Sequence, residues 1–144
     1  MKYGFYGSAE ALKVREKSGA LKGISTPCDV YDVLSGIWCR ETCAPRMRDQ
    51  WTPENRTYGQ CSITAFLVQD IFGGEVKGVL LDDGNYHCYN VVDGHVFDLT
   101  SEQFDRALTY SPDDKIQRRE DHFRKEEKKE RYICLRDRFF LSVK

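Results

Sequence analysis

Three side chains of this sequence, Cys61, His87 and Asp98, are of the types and in the order that nucleophilic thiol chemistry requires. Cys61 follows Gly59-Gln60 and opens the apolar stretch Cys-Ser-Ile-Thr-Ala-Phe-Leu-Val-Gln-Asp-Ile-Phe72, which reads as a helix closed by Gly73-Gly74. The first amides of a helix lack intrahelical partners and its N-terminus is partially positive, so a thiolate there is stabilised and an oxyanion finds donors. In a triad, Asp98 accepts from one nitrogen of His87, the other nitrogen takes the Cys61 proton, and the thiolate attacks an acyl carbon. Such chemistry needs no cofactor. The oxyanion would meet the Cys61 amide and one further donor, for which Gln60 and Asn55 are the candidates, while Trp51 and Tyr89, with Trp38, are candidates to line an acyl pocket. Taken singly, Cys61 also reads as a buried helix residue, His87 as a hydrogen-bonded sheet histidine and Asp98 as a helix-capping carboxylate. Their co-occurrence favours the triad. His95 is the weaker base, because it falls beside a tight turn where it and Asp93 are expected to face solvent.

The elements that must position these groups follow from the pattern. After Gly74 the periodicity becomes extended, over 75–81, 86–92 and 95–99, with Asp82-Asp83-Gly84-Asn85 and Asp93-Gly94 as turns of an antiparallel meander. If Asp93-Gly94 is a two-residue hairpin turn, Val92 faces His95, Tyr89 faces Asp98 and His87 faces Thr100. His87 and Asp98 then share a sheet face as diagonal neighbours, roughly 7–8 Å apart at Cα, which their side chains can bridge. Upstream, Thr26-Pro27 is a helix start with Val30, Val33, Leu34, Ile37 and Trp38 at helical spacing, and 44–59, with Pro45 and Pro53, is a loop leading into the Cys61 helix. Residues 1–25, with a short helical run at 9–17, read as a flexible extension ahead of one domain over 26–144. The charged run 115–131 pairs Glu120/Arg124, Asp121/Lys125 and Glu127/Arg131 at four-residue spacing, as on a solvated helix face. Its continuation through Tyr132, Ile133, Leu135, Phe139 and Phe140 supplies apolar side chains to bury in a closing helix. The fold class is α+β.

Composition narrows the function. The chain of 144 residues suits one domain, and its 22 basic and 23 acidic residues leave a net charge of −1 with the signs interspersed. No field favours nucleic acid or an anionic membrane, no stretch reaches membrane-spanning length, and no secretory signal opens the chain, so a cytoplasmic location is expected. In a reducing compartment the six cysteines are thiols. Cys39 and Cys43, with Cys61, His87 or Cys88, are the nearest approach to a metal set, but a second short-spaced pair is missing and no metal is expected. The expected partner is a small-molecule or peptide acyl substrate.

One set of motifs points further. Trp38-x-x-x-Thr42, Trp51, Gly59-Gln-Cys-x-x-Thr-Ala65, Gln69-Asp70-x-Phe-Gly-Gly-Glu75, His87-x-Tyr-Asn90, Gly94, Asp98-Leu-Thr-x-x-Gln-Phe104 and Arg131-Tyr132-x-x-Leu135 resemble the small bacterial YunG-like proteins over roughly residues 28 to 140. In layout, a thiol on a helix followed by His and Asp on a hairpin is similar to the transglutaminase-like and papain-like cysteine hydrolases. That likeness implies a papain-like/transglutaminase-like core in which the Cys61 helix packs on an antiparallel sheet between flanking helices. It transfers no substrate. The function expected is a thiol hydrolase or acyltransferase acting on an amide or ester; the competing expectation is a binding or regulatory protein that keeps the fold without turnover.

Overall fold

The computed structural model describes residues 3–143. Its helices are α1 (Ser8–Ala11), α2 (Pro27–Leu34), α3 (Cys61–Phe72), α4 (Arg119–His122) and α5 (Glu126–Ser142), and its strands β1 (Glu75–Leu80), β2 (Tyr86–Val92), β3 (His95–Phe97) and β4 (Lys115–Ile116). Short 3-10 turns occupy Arg40–Thr42, Pro45–Gln50 and Ser101–Gln103. The strands form one antiparallel sheet in the order β3-β2-β1-β4, with Val92 opposite His95 and Asn90 opposite Phe97. Asp93 and Gly94 both have positive φ, 51° and 81°, the backbone that a two-residue hairpin turn needs to match strand twist.

Helix α3 is the centre of the packing. Seven consecutive residues, Ser62 to Val68, are buried, so this helix is enclosed on nearly all sides, with β2 against one flank and α5 against another. Two buried polar links fix it: Asn90 Nδ2 donates to the Ala65 carbonyl at 2.9 Å, and Trp38 Nε1 donates to Thr64 Oγ1 at 2.9 Å. The helix ends at Gly73 (φ 82°), and at Gly74 (φ 77°) a Cβ would strike the Val91 carbonyl, so glycine lets the chain turn directly into β1. Helix α2 begins with a complete capping box: the Thr26 hydroxyl accepts from the Cys28 amide at 3.2 Å and the Asp29 carboxylate accepts from the Thr26 amide at 3.0 Å.

The structure departs from the sequence reading at both ends. The helical run expected over 9–17 is confined to Ser8–Ala11, because the Glu16 carboxylate captures the amides of Ser18 and Gly19 and closes a turn there. Residues 3–25 do not trail as a flexible extension. Phe5, Ala11, Val14 and Ile24 lie in the same apolar core as α3, and the Asp98 amide donates to the Tyr6 carbonyl at 2.9 Å just beyond β3. Near the other end, the charged run contains β4, which pairs Lys115 and Ile116 with Gly78 and Lys77. Arg131 belongs to no solvated face: its guanidinium is buried, bonding Glu127 at 3.0 Å and the Thr42 carbonyl at 2.9 Å. No helix among the described residues is long and apolar enough to cross a membrane.

Replacing Phe5, 3% exposed, with alanine should lower unfolding free energy by about 3–5 kcal/mol through lost burial and a residual cavity. Urea denaturation measures this, and a loss below about 1 kcal/mol would show that residues 3–25 add no core.

Candidate functional site: a buried thiol, imidazole and carboxylate

Cys61 is the first residue of α3, whose opening hydrogen bond runs from the Thr64 amide to the Gln60 carbonyl at 3.2 Å. The amides of Cys61, Ser62 and Ile63 thus precede the ladder. The preceding glycine is required by packing: Gly59 has φ 73° and a Cβ on it would overlap Cys43 Sγ, so the loop is pressed onto the 39–43 segment as it enters the helix.

His87 and Asp98 meet as the hairpin count requires. Both are 1% exposed, and His87 Nε2 donates to Asp98 Oδ2 at 2.6 Å. Asp98 is satisfied on every side, since its Oδ1 accepts from the Thr100 amide at 3.1 Å and the Thr100 hydroxyl at 3.3 Å, and its Oδ2 also accepts from Tyr110 at 2.5 Å. Phe104 stands edge-on to the imidazole with centroids 4.7 Å apart. Burial opposes a charge on His87, but the Asp98 carboxylate and the Cys61 thiol outweigh it and push the imidazole pKa up to about 10.

The half-buried Cys61 thiol lies beside the Cys88 thiol and the His87 ring. Hydrogen bonding from Cys88, reinforced by the charge on His87, overcomes burial and holds Cys61 well below the ordinary thiol value of 9.0. Cys88, next to that sulfur and buried, is displaced upward and remains a donor. Both displacements favour a proton on the imidazole and negative charge on Cys61. Among the described residues, the hydrogen bonds of ordinary geometry include the one from His87 to Asp98 but none to Cys61 from either His87 or Cys88, so ring and thiols stand in looser electrostatic contact.

A second basic pair lies near the thiols. His122 Nδ1 accepts from Lys128 Nζ at 2.9 Å, and its Nε2 donates to Gln117 at 2.9 Å. Burial, with help from the Lys128 charge, pulls His122 down to about 4; burial also lowers Lys128, against the pull of the nearby thiol pair. The sequence reading missed Lys128, His122 and Tyr110, and considered Cys88 only as a possible metal ligand. Only Cys88, adjacent to His87, carried a local signal.

The remaining expected residues are placed elsewhere. Gln60 is fully buried and its Nε2 donates to the Cys39 carbonyl at 3.0 Å, so that amide braces the loop, while its Oε1 has no partner among the described residues. Asn55 is half-buried on a cavity of about 260 Å³ that it shares with Trp38, Thr57 and Glu102. Trp51 and Tyr89, the expected pocket residues, have their polar ends engaged: the Trp51 indole donates to the Arg56 carbonyl at 3.0 Å, and the Tyr89 hydroxyl donates to Asp114 at 2.6 Å. His95 is held at 2.7 Å by Glu10 instead of facing solvent. Cys39 accepts from Arg138 at 3.2 Å, and among the described residues no three His, Cys, Asp or Glu side chains gather as a metal site.

A family model described as YunG protein matches residues 26–144. The chain belongs to the YunG family. A curated relative, the uncharacterized protein YunG of Bacillus subtilis (strain 168), is 37% identical over 78 residues. That match covers 54% of this chain and 63% of the relative, so the chain spans less than two thirds of that protein. No solved structure matches.

Two outcomes follow from the charge distribution. Cys88→Ala should move Cys61 ionisation to higher pH, read by thiolate absorbance or alkylation rate, because the leading donor to the sulfur is gone; an unchanged titration would remove Cys88 from the site. For stability, a raised imidazole alone contributes fully below 6.5 and loses that contribution as pH rises towards 10, whereas a depressed thiol contributes above 9.0 and loses it as pH falls. Between 6.5 and 9.0, above the depressed Cys61 value, the native pair and the unfolded chain each hold one proton, so the two slopes cancel. Cys61→Ala should expose the imidazole slope, a stability loss of up to about 1.4 kcal/mol per pH unit above neutrality relative to wild type. Parallel denaturation curves at pH 7 and 9 would count against the raised imidazole.

Proposed function

We propose that this protein is a thiol hydrolase or acyltransferase in which the Cys61 thiolate attacks the carbonyl of an amide or ester. The observation that carries this reading is the Cys61 sulfur at the head of α3, beside a His87 that a buried Asp98 holds at 2.6 Å. A carbon–sulfur bond forms as the carbonyl electrons move to oxygen, which the first-turn amides of α3 are oriented to receive. Collapse of this intermediate breaks the bond to the leaving amine or alkoxide, which takes the His87 proton. His87, now neutral, then accepts a proton from water or an acceptor amine as that nucleophile displaces Cys61 from the acyl group, restoring the starting charges. Asp98 fixes the ring throughout by its bond to Nε2, leaving Nδ1 for the reacting groups. No cofactor enters this scheme. The layout supports a papain-like/transglutaminase-like analogy, and a cytoplasmic location fits six unpaired thiols.

A second reading, a binding or regulatory protein that retains the cluster without turnover, is favoured by one observation: the Gln60 amide is engaged with Cys39, which leaves the oxyanion without an evident side-chain donor. Alkylation with iodoacetamide across pH, resolved cysteine by cysteine by mass spectrometry, separates activated from inert thiol. Cys61 should react fastest of the six far below pH 8.5, and His87→Ala should abolish that lead by about tenfold or more. An activated Cys61 should then be trapped as an acyl-enzyme by p-nitrophenyl acetate, seen as a mass gain on that residue. A Cys61 that reacts no faster than the other thiols sinks the hydrolase reading.

A further inference from the structure

We propose that Tyr110 is a positioning residue that shares Asp98 Oδ2 with His87 and so limits how tightly the carboxylate holds the imidazole proton. This role rests on the hydrolase reading for its purpose, though not for its geometry. Asp98 Oδ1 is already fixed by two bonds from Thr100, so Tyr110 is not needed to orient the carboxylate. Its hydroxyl goes instead to the oxygen that bonds His87, at 2.5 Å beside the imidazole's 2.6 Å. Two donors on one oxygen compete, and the positive end of the hydroxyl dipole lies close to the imidazolium. Both effects weaken the hold on the proton that His87 must release to the leaving group. Burial and the nearby carboxylate raise the phenol well above its ordinary value, so Tyr110 stays a donor throughout.

The ring is placed to do this by residues distant in sequence. Tyr6 stacks on it at a centroid distance of 4.1 Å, and Tyr89 meets it edge-on at 4.8 Å. Tyr6 in turn is tied at both ends of its peptide: its amide donates to Ser101 Oγ at 2.7 Å and its carbonyl accepts from Asp98. The titratable groups around His87 are therefore Asp98, Cys61, Cys88 and Tyr110, with Tyr6 and Tyr89 behind Tyr110 and Lys128 beyond the two thiols.

The test reads the ring directly. His87 is titrated by nitrogen-15 NMR in Cys61→Ala protein, which removes the thiolate, and compared with the same protein carrying Tyr110→Phe. The phenyl ring keeps the stack and loses only the hydroxyl, and the expected result is an upward shift of about half a pH unit or more. In an Asp98→Asn background the same substitution should shift nothing, because the effect passes through the carboxylate. Tyr6→Phe should leave the titration unchanged, whereas Tyr6→Ala, which frees the Tyr110 ring, should raise it. An unchanged or lowered His87 value in folded Tyr110→Phe protein overturns the proposal and leaves Tyr110 a packing residue. Alkylation of wild-type Cys61 is read separately, so an inert thiol with a shifted imidazole would retire the hydrolase reading while keeping the role of Tyr110 on Asp98.

Discussion

A carboxylate and an imidazole that are each 1% exposed remain polar only if every lone pair and proton has a partner. Asp98 receives four donors from three residues, His87, Tyr110 and the amide and hydroxyl of Thr100, and each residue is placed by a different constraint on the chain. His87 arrives by sheet register, Thr100 by the 3-10 turn that follows β3, and Tyr110 by a loop held between Tyr6 and Tyr89. Removing any one of these would leave a buried charge under-satisfied. The fold around the hairpin is thus organised as much by the needs of one carboxylate as by apolar burial.

The opposite side of the site depends on close backbone approach. Gly59 lets the loop press on Cys43 before the chain enters α3, and Asn90 ties the middle of that helix to β2. These contacts set the depth at which the Cys61 sulfur meets the strand bearing His87 and Cys88. A side chain at a helix N-terminus keeps its place only when the helix itself cannot slide, and seven enclosed residues make α3 a rigid mount for Cys61.

What the sequence revealed was local. Thr26-Pro27, the apolar run from Cys61 to Phe72 stopped by two glycines, and Asp93-Gly94 are signals within a few residues, and each specifies its element through capping, burial or turn geometry. The diagonal meeting of His87 with Asp98 followed from counting across that turn. What stayed hidden depends on distance along the chain. Tyr6 and Tyr110 are 104 positions apart and nothing in the neighbourhood of either announces a stack. Strand β4 has two residues within a polar run, too short to show alternation, and Arg131 looked like one of several solvated charges until its reach to Thr42 was seen. The indole of Trp51 and the hydroxyl of Tyr89 had internal acceptors that spacing could not foresee.

Both margins of the sheet are short. On one side β3 has three residues, with the Tyr6 peptide bridged to Asp98 just past its end and α1 packed against it; on the other, β4 has two. An extended foreign chain seeking a ladder to join would find too few free amides in a row at either margin to register against. Leu80 and Ile116, the apolar side chains left exposed near the β1–β4 margin, therefore have no long strand template beside them. The chain carries this safeguard against amyloid-like stacking in the brevity of its outermost strands.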